Sequence, residues 1–249
     1  MTSPTRDGFG TNGDDLGIPD LDKLMSIYYS VEEVWKFNKE RFGQDSWDGR
    51  GTEIRSFGLQ GKVNAFWTTY GGVGYAMYDF VTGVDLGSVD VVGHELTHGT
   101  IDGKNGLIYQ NESGALNEGY ADIFGIYLYQ NIRNDPYEWT IGTQTTIVRR
   151  NISNPKQYSY PDTYKGRNWY SGTADNGGVH TNSQVIAYIF YLLAEGGTGI
   201  NDNGDAYEVY GIGIDEAADI FYDSLDLMPN DTTSSTQPMW TRWTCTTCV

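Results

Sequence analysis

The sequence predicts an α+β fold in two lobes, a mixed first half followed by a mainly helical second half. Three observations predict it. Ile18 to Phe42 repeats apolar residues (Leu21, Leu24, Ile27, Tyr28, Val31, Val34, Trp35) at helical spacing, which gives a helix with one buried stripe. From Thr52 to Tyr78 the chain changes character: TEIRSF, KVNAFWTTY and VGYAMY, separated by glycines, read as short antiparallel strands. After Ser88 helical segments dominate, so the lobes divide into residues 1–103 and 104–249.

Taken in order, the first helix follows a Gly- and Asp-rich lead whose residues lack the charged-then-apolar layout of a signal peptide. A second helix is expected over Ser88 to Asp102 and a third over Gly114 to Gln130. Asn151 to Asn176, rich in Pro, Tyr, Asn and Gly, reads as a long irregular loop of the kind that carries function. Helices follow at Asn182 to Glu195 and Ile214 to Leu225. The longest apolar run, Val185 to Ala194, is too short to span a bilayer and reads as core.

The totals narrow the function. A chain of 249 residues buries a sizeable core without a partner, so a monomer is expected. Its 16 Lys and Arg against 33 Asp and Glu give a charge of -17, which repels phosphate backbones and anionic lipid: neither nucleic acid nor membrane is an expected partner. The two cysteines, Cys245 and Cys248, cannot form a disulfide framework or a four-cysteine zinc site within one molecule, and read as a peripheral thiol pair or short disulfide.

Two of the three histidines stand in HELTH, at His94 and His98, with Glu95 between them. Four residues of α-helix turn the chain by about 400° and advance it by about 6 Å, so both imidazoles project from one face and can hold one ion. Glu95, one step round, can address a water on that ion as a general base. A catalytic zinc needs a third protein ligand and one open position. Glu118, in NEGYAD on the next helix, supplies it, and Asp122, one turn on, is placed to accept from a ligating imidazole. Alone, such an acidic pair is a solvated face; after HExxH it reads as the other half of a site. The third histidine, His180, lies in DNGGVH, where Asp175 can orient it and the paired glycines let backbone approach a ligand.

HELTH, NEGYAD and DNGGVH in this order resemble the thermolysin family of neutral zinc metalloendopeptidases, over about Ile18 to Leu227. The resemblance implies a two-lobed zincin with the zinc-binding helix at the floor of the cleft, and Zn2+ held by His94, His98 and Glu118. It implies Glu95 as base and proton carrier, and His180 and Tyr109 as oxyanion donors, with Asp175 orienting His180 and Asp122 supporting His94. By the same resemblance Asn64 and the backbone of Ala65 contact the substrate strand, and Arg150, beside Arg149, binds the carbonyl beyond the scissile bond. Cleavage before apolar residues follows from Leu86 and Val91, where the family builds its apolar pocket. Secretion, protein or peptide substrates, and a second lobe shorter than the family's are further implications. Ca2+ is weakly supported: Asp90 matches a family calcium ligand, but Tyr129, Thr140 and Thr143 replace its acidic companions, which leaves one weak position around Asp90, Asp135 and Glu138. NDNGD, Asn201 to Asp205, reads as a solvated turn. The alternatives are a catalytically inactive relative or fragment that keeps zinc to bind peptides, and an aminopeptidase, for which no amino-terminus-capturing motif stands out.

Overall fold

The computed structural model describes residues 21–59, 64–70, 73–79, 86–136, 138–142 and 150–228. Helix α1 (Leu21–Phe42) buries Ile27 and Val34 of its apolar stripe. Strands β1 (Ile54–Leu59), β2 (Ala65–Tyr70) and β3 (Val73–Asp79) form a sheet in the order β1-β3-β2. An antiparallel sheet throughout is not what forms. β2 and β3 make an antiparallel pair with Ala65 opposite Tyr78, whereas β1 runs parallel to β3, with Ile54 opposite Gly74. The reason is topological: β3 inserts between β1 and β2, so β1 meets the strand after its neighbour. Among the described residues β2 is left at the edge, with one side of its backbone unpaired in the sheet.

Four helices follow: α2 (Val89–Lys104), α3 (Asn111–Arg133), α4 (Asp175–Glu195) and α5 (Ile214–Leu225). Two small antiparallel pairs, which the pattern of apolar residues did not reveal, link them: β4 (Thr140–Ile141) with β5 (Arg150–Asn151), and β6 (Gly196–Ile200) with β7 (Ala206–Tyr210). NDNGD is the turn of the β6–β7 hairpin, closed by Asn201 Oδ1 accepting from the backbone N–H of Asn203 and of Asp205. Residues 152–174 are irregular apart from a 3-10 turn, Pro155–Tyr158. Cys245, Cys248, Thr143 and Arg149 lie outside the described residues. No described helix is long and apolar enough to cross a membrane.

Two apolar clusters hold these elements. One joins α1 to α2 through Ile27, Val34, Val89, Val92 and Leu96; the other packs α3, α4 and α5 around Tyr120, Ile123, Ile186, Phe190 and Phe221. Glycines set how closely the helices approach. A Cβ at Gly125 of α3 would lie 2.6 Å from the carbonyl oxygen of Asp90 in α2, and one at Gly119 would lie 2.1 Å from Ile186 Cγ2 and 2.9 Å from the carbonyl oxygen of Ser183 in α4. Backbone against backbone at these points brings side chains of α2, α3 and α4 to a common centre. Gly119→Val is therefore expected to cost about 3 kcal/mol by overpacking against an oxygen that cannot withdraw. A lower urea midpoint at unchanged slope would register it, and an unchanged midpoint would show that α3 and α4 separate freely.

Trp67 ties β2 to α2: its ring packs where a Cβ at Gly99 would come within 2.5 Å, and its Nε1 donates to Asp102 at 3.0 Å. The exposed edge of the sheet is thereby fixed relative to the helix that carries HELTH.

Candidate active site

His94 and His98 sit one turn apart on α2, and their Nε2 atoms stand 3.1 Å apart. The other nitrogen of each ring faces a side-chain oxygen. Asp122 Oδ1 lies 2.9 Å from His94 Nδ1, and His98 Nδ1 donates to Asn117 Oδ1 at 2.6 Å. Asn117 Nδ2 donates in turn to the Leu107 carbonyl at 3.3 Å, which fixes the amide with its oxygen toward His98. With Nδ1 facing acceptors on both rings, the bare Nε2 lone pairs converge on one point.

Glu118, only 1% exposed, reaches that point from α3: Oε2 is 3.4 Å from His94 Nε2 and Oε1 is 3.5 Å from His98 Nε2. Among the described residues, His94, His98 and Glu118 are the group of His, Cys, Asp or Glu side chains able to hold a metal, their ligand atoms within 4.8 Å of one another. The set fits zinc. Two nitrogens on one tetrahedral zinc at about 2.0–2.1 Å stand about 3.3 Å apart, and the buried Glu118 Oε2 has no hydrogen-bond partner, so it is free to take a ligand.

Around this centre, Tyr109 donates to Glu118 Oε1 and its hydroxyl is 3.4 Å from His180 Nε2, which itself stands 3.3 Å from Glu118 Oε1. His180 is placed by unusual backbone. Asp175, Asn176, Gly177 and Gly178 all have positive φ, 52°, 49°, 92° and 80°, so α4 opens with a left-handed turn before it becomes right-handed. Asp and Asn are the non-glycine residues that tolerate that region. The turn folds the Asp175 carboxylate back on His180, where Oδ1 meets Nδ1 at 2.7 Å and Oδ2 accepts the backbone N–H at 3.0 Å. The right-handed part of α4 therefore begins after Gly178, a few residues before the expected start at Asn182.

Electrostatics sharpen the contrast between the carboxylates. Burial pushes Glu95, 5% exposed, upward, with His94 and His98 pulling the other way. Burial acts on Glu118 too, but His98, His94 and His180 outweigh it and hold Glu118 down at about 2. At Asp122 burial is outweighed by Arg150 and His94, leaving it well below the usual carboxylate range. Arg150, 6% exposed, holds Asp122 with both Nε and Nη2, each at 2.6 Å.

Asn64 is exposed just ahead of β2 and Ala65 begins that strand. Leu86 and Val91 belong to the apolar cluster between α1 and α2. Asp90 Oδ2 accepts the Gly142 N–H at 2.8 Å and Glu138 Oε1 the Thr140 N–H at 2.6 Å, and among the described residues Asp90, Asp135 and Glu138 do not gather as a metal-holding group. Asp90 Oδ1 is buried without a hydrogen-bond partner. The sequence reading missed Asn117, although its place one residue before Glu118 in NEGYAD was a usable signal. It also missed the Arg150–Asp122 pair and Gln184, for which long-range contact leaves no local mark.

The model of the thermolysin metallopeptidase catalytic domain matches residues 8–102, and that of the thermolysin metallopeptidase alpha-helical domain matches residues 105–238. The chain belongs to the thermolysin metallopeptidase family. Thermolysin-family relatives include the thermostable neutral protease NprT of Geobacillus stearothermophilus, 39% identical over 232 residues that cover 86% of this chain and 39% of that protein. Thermolysin of Alicyclobacillus acidocaldarius is 40% identical over 215 residues, 81% of this chain and 37% of its own. The chain therefore spans less than half the length of these curated relatives. Among solved structures, the precursor of protealysin, a metalloproteinase from Serratia proteamaculans, superposes with a TM-score of 0.67 at 26% identity, covering 91% of this chain and 70% of that one. The thermolysin-like two-part fold, mixed α/β then helical, is the one the sequence predicts.

Proposed function

We propose that the chain is a zinc-dependent endopeptidase that hydrolyses internal peptide bonds of protein substrates. The observation that supports this most is the convergence of two bare imidazole nitrogens and an unpartnered carboxylate oxygen beside a buried base, Glu95. When bound, zinc supplies Lewis acidity that polarises the scissile carbonyl and acidifies the attacking water. Glu95 takes the proton from that water and returns it to the leaving nitrogen. Tyr109 and His180 donate to the carbonyl oxygen as it gains charge, a preorganised donor being worth about 3 kcal/mol of barrier. Asp175 holds the His180 ring through Nδ1, so Nε2 faces the reacting centre.

An extended substrate adds as a strand at the free edge of β2, where Asn64 and the Ala65 backbone make the contacts. Arg150 commits Nε and Nη2 to Asp122, so a contact with the carbonyl beyond the scissile bond falls to Nη1. Preference for cleaving before apolar residues and a secreted location are part of the same proposal and rest on the family resemblance; a monomeric state, expected from the chain's length, belongs to it too.

Removing the metal tests it. Purified protein is expected to hold one zinc per chain and to cut unfolded casein internally, before apolar residues as read by mass spectrometry. A chelator should stop the cutting and added zinc restore it. Zinc retained with no cleavage would overturn the endopeptidase reading in favour of an inactive zinc-holding peptide binder, and cuts confined to amino termini would favour an aminopeptidase.

A further inference from the structure

We propose that Gln184 is a positioning residue of the active site: its amide fixes the Asp122 carboxylate that orients His94 and ties that carboxylate to the helix that carries His180. Its activity arm rests on the endopeptidase proposal above.

Gln184 lies four residues after His180 on α4, one turn along the same helix face. It is fully buried, with neighbours Val185, Ile186, Ala187 and Phe190 that are apolar and equally enclosed. An amide at that depth is unfavourable unless it is bonded, so its presence calls for a reason. Nε2 donates to Asp122 Oδ2 at 2.8 Å and lies 3.3 Å from Ser183 Oγ, which itself donates to the His180 carbonyl at 3.0 Å. Oε1 is buried without a hydrogen-bond partner. Turning the amide over would set its oxygen against the carboxylate, so Asp122 dictates the orientation and the orphaned acceptor is its consequence. A residue chosen for stability alone would be apolar here. This one accepts an unpaired oxygen in order to place a donor on Asp122.

That donor completes the carboxylate. Oδ1 receives Arg150 Nη2 at 2.6 Å and faces His94 Nδ1 at 2.9 Å; Oδ2 receives Arg150 Nε at 2.6 Å and Gln184. Arg150 grips one edge and leaves rotation of the carboxylate with the guanidinium open. Gln184, arriving from a different helix, closes that rotation, so the oxygen presented to His94 is fixed. Because the same side chain belongs to α4, the spacing between His94 and His180 is fixed with it.

The test replaces Gln184 by Met, which keeps length and volume and removes the donor. The dissociation constant for zinc is expected to rise about tenfold, the low end for groups that orient a metal ligand. The cobalt-loaded variant should show an altered visible absorption, and kcat should fall about tenfold with KM within about twofold. Far-UV circular dichroism should be unchanged. A folded Gln184→Met variant with wild-type zinc affinity, cobalt spectrum and kcat overturns the proposal. Should the variant fail to fold, the unmodified protein decides: the Gln184 side-chain amide resonance, in protein labelled with 15N, is expected to shift when zinc is added, and a resonance that zinc leaves in place overturns the proposal. If the unmodified protein neither binds zinc nor cleaves casein, the endopeptidase proposal itself has failed, an outcome distinct from a working enzyme indifferent to residue 184.

Discussion

Glu95→Gln is expected to lower kcat by about 10²–10⁴-fold, the range a general base supplies, while zinc content stays at one per chain and KM changes little. Gln matches Glu in size and shape, so neither the α2 packing nor the position of His94 is disturbed. What disappears is the ability to take a proton. Glu95 is buried beside both imidazoles yet is no member of the metal-holding group, which is formed by His94, His98 and Glu118 alone. Loss of catalysis with retention of metal is therefore the signature that separates a base from a ligand. Steady-state kinetics on a fluorogenic peptide, beside metal analysis of the same preparation, check it. A variant that retains a tenth of the wild-type rate would remove Glu95 from the mechanism.

How the sequence revealed His94, His98 and Glu118 follows from which parts of the site are local. HELTH and NEGYAD are spaced by helix geometry, and any α-helix through them puts the metal-facing groups on one side. The same periodicity located the five helices of the described residues, and Ile214–Leu225 was expected at the residues observed. Contacts that depend on which strand or helix lies next to which were not legible. Nothing in TEIRSF says that β3 will come between β1 and β2, and so the parallel pairing escaped notice. GGTGI, with three glycines, carries too weak a strand signal to announce the β6–β7 hairpin. Arg150 was expected from the resemblance to touch substrate, but its bidentate grip on Asp122 joins residues 28 positions apart and follows from β5 pairing with β4, the strand that packs on α3. Gln184 reaches the same carboxylate across 62 positions, by way of the glycine contact at Gly119 that lets α4 lie against α3.

Asp122→Ala should be the most damaging single change to stability, at about 3–5 kcal/mol, the cost of leaving one member of a buried ion pair alone. Asp122 is entirely buried, and its removal strands the enclosed Arg150 guanidinium, the Gln184 amide and the Nδ1 side of His94 together. Urea unfolding of metal-free protein isolates this loss from any change in zinc binding, which would otherwise stabilise the folded state by mass action. Adding Arg150→Met to Asp122→Ala is expected to recover much of the stability, because an apolar replacement of a whole buried ion pair is often neutral. Zinc affinity should not recover with it. His94 still lacks the acceptor that turns its Nε2 toward His98 and Glu118, and loss of such an acceptor weakens binding by about 10–100-fold. The two measurements therefore separate two roles of one carboxylate. If the double variant regained zinc affinity in step with its urea midpoint, Asp122 would serve the metal only by keeping α3 folded; if stability returned while affinity stayed low, its contact with His94 Nδ1 is what prepares the site.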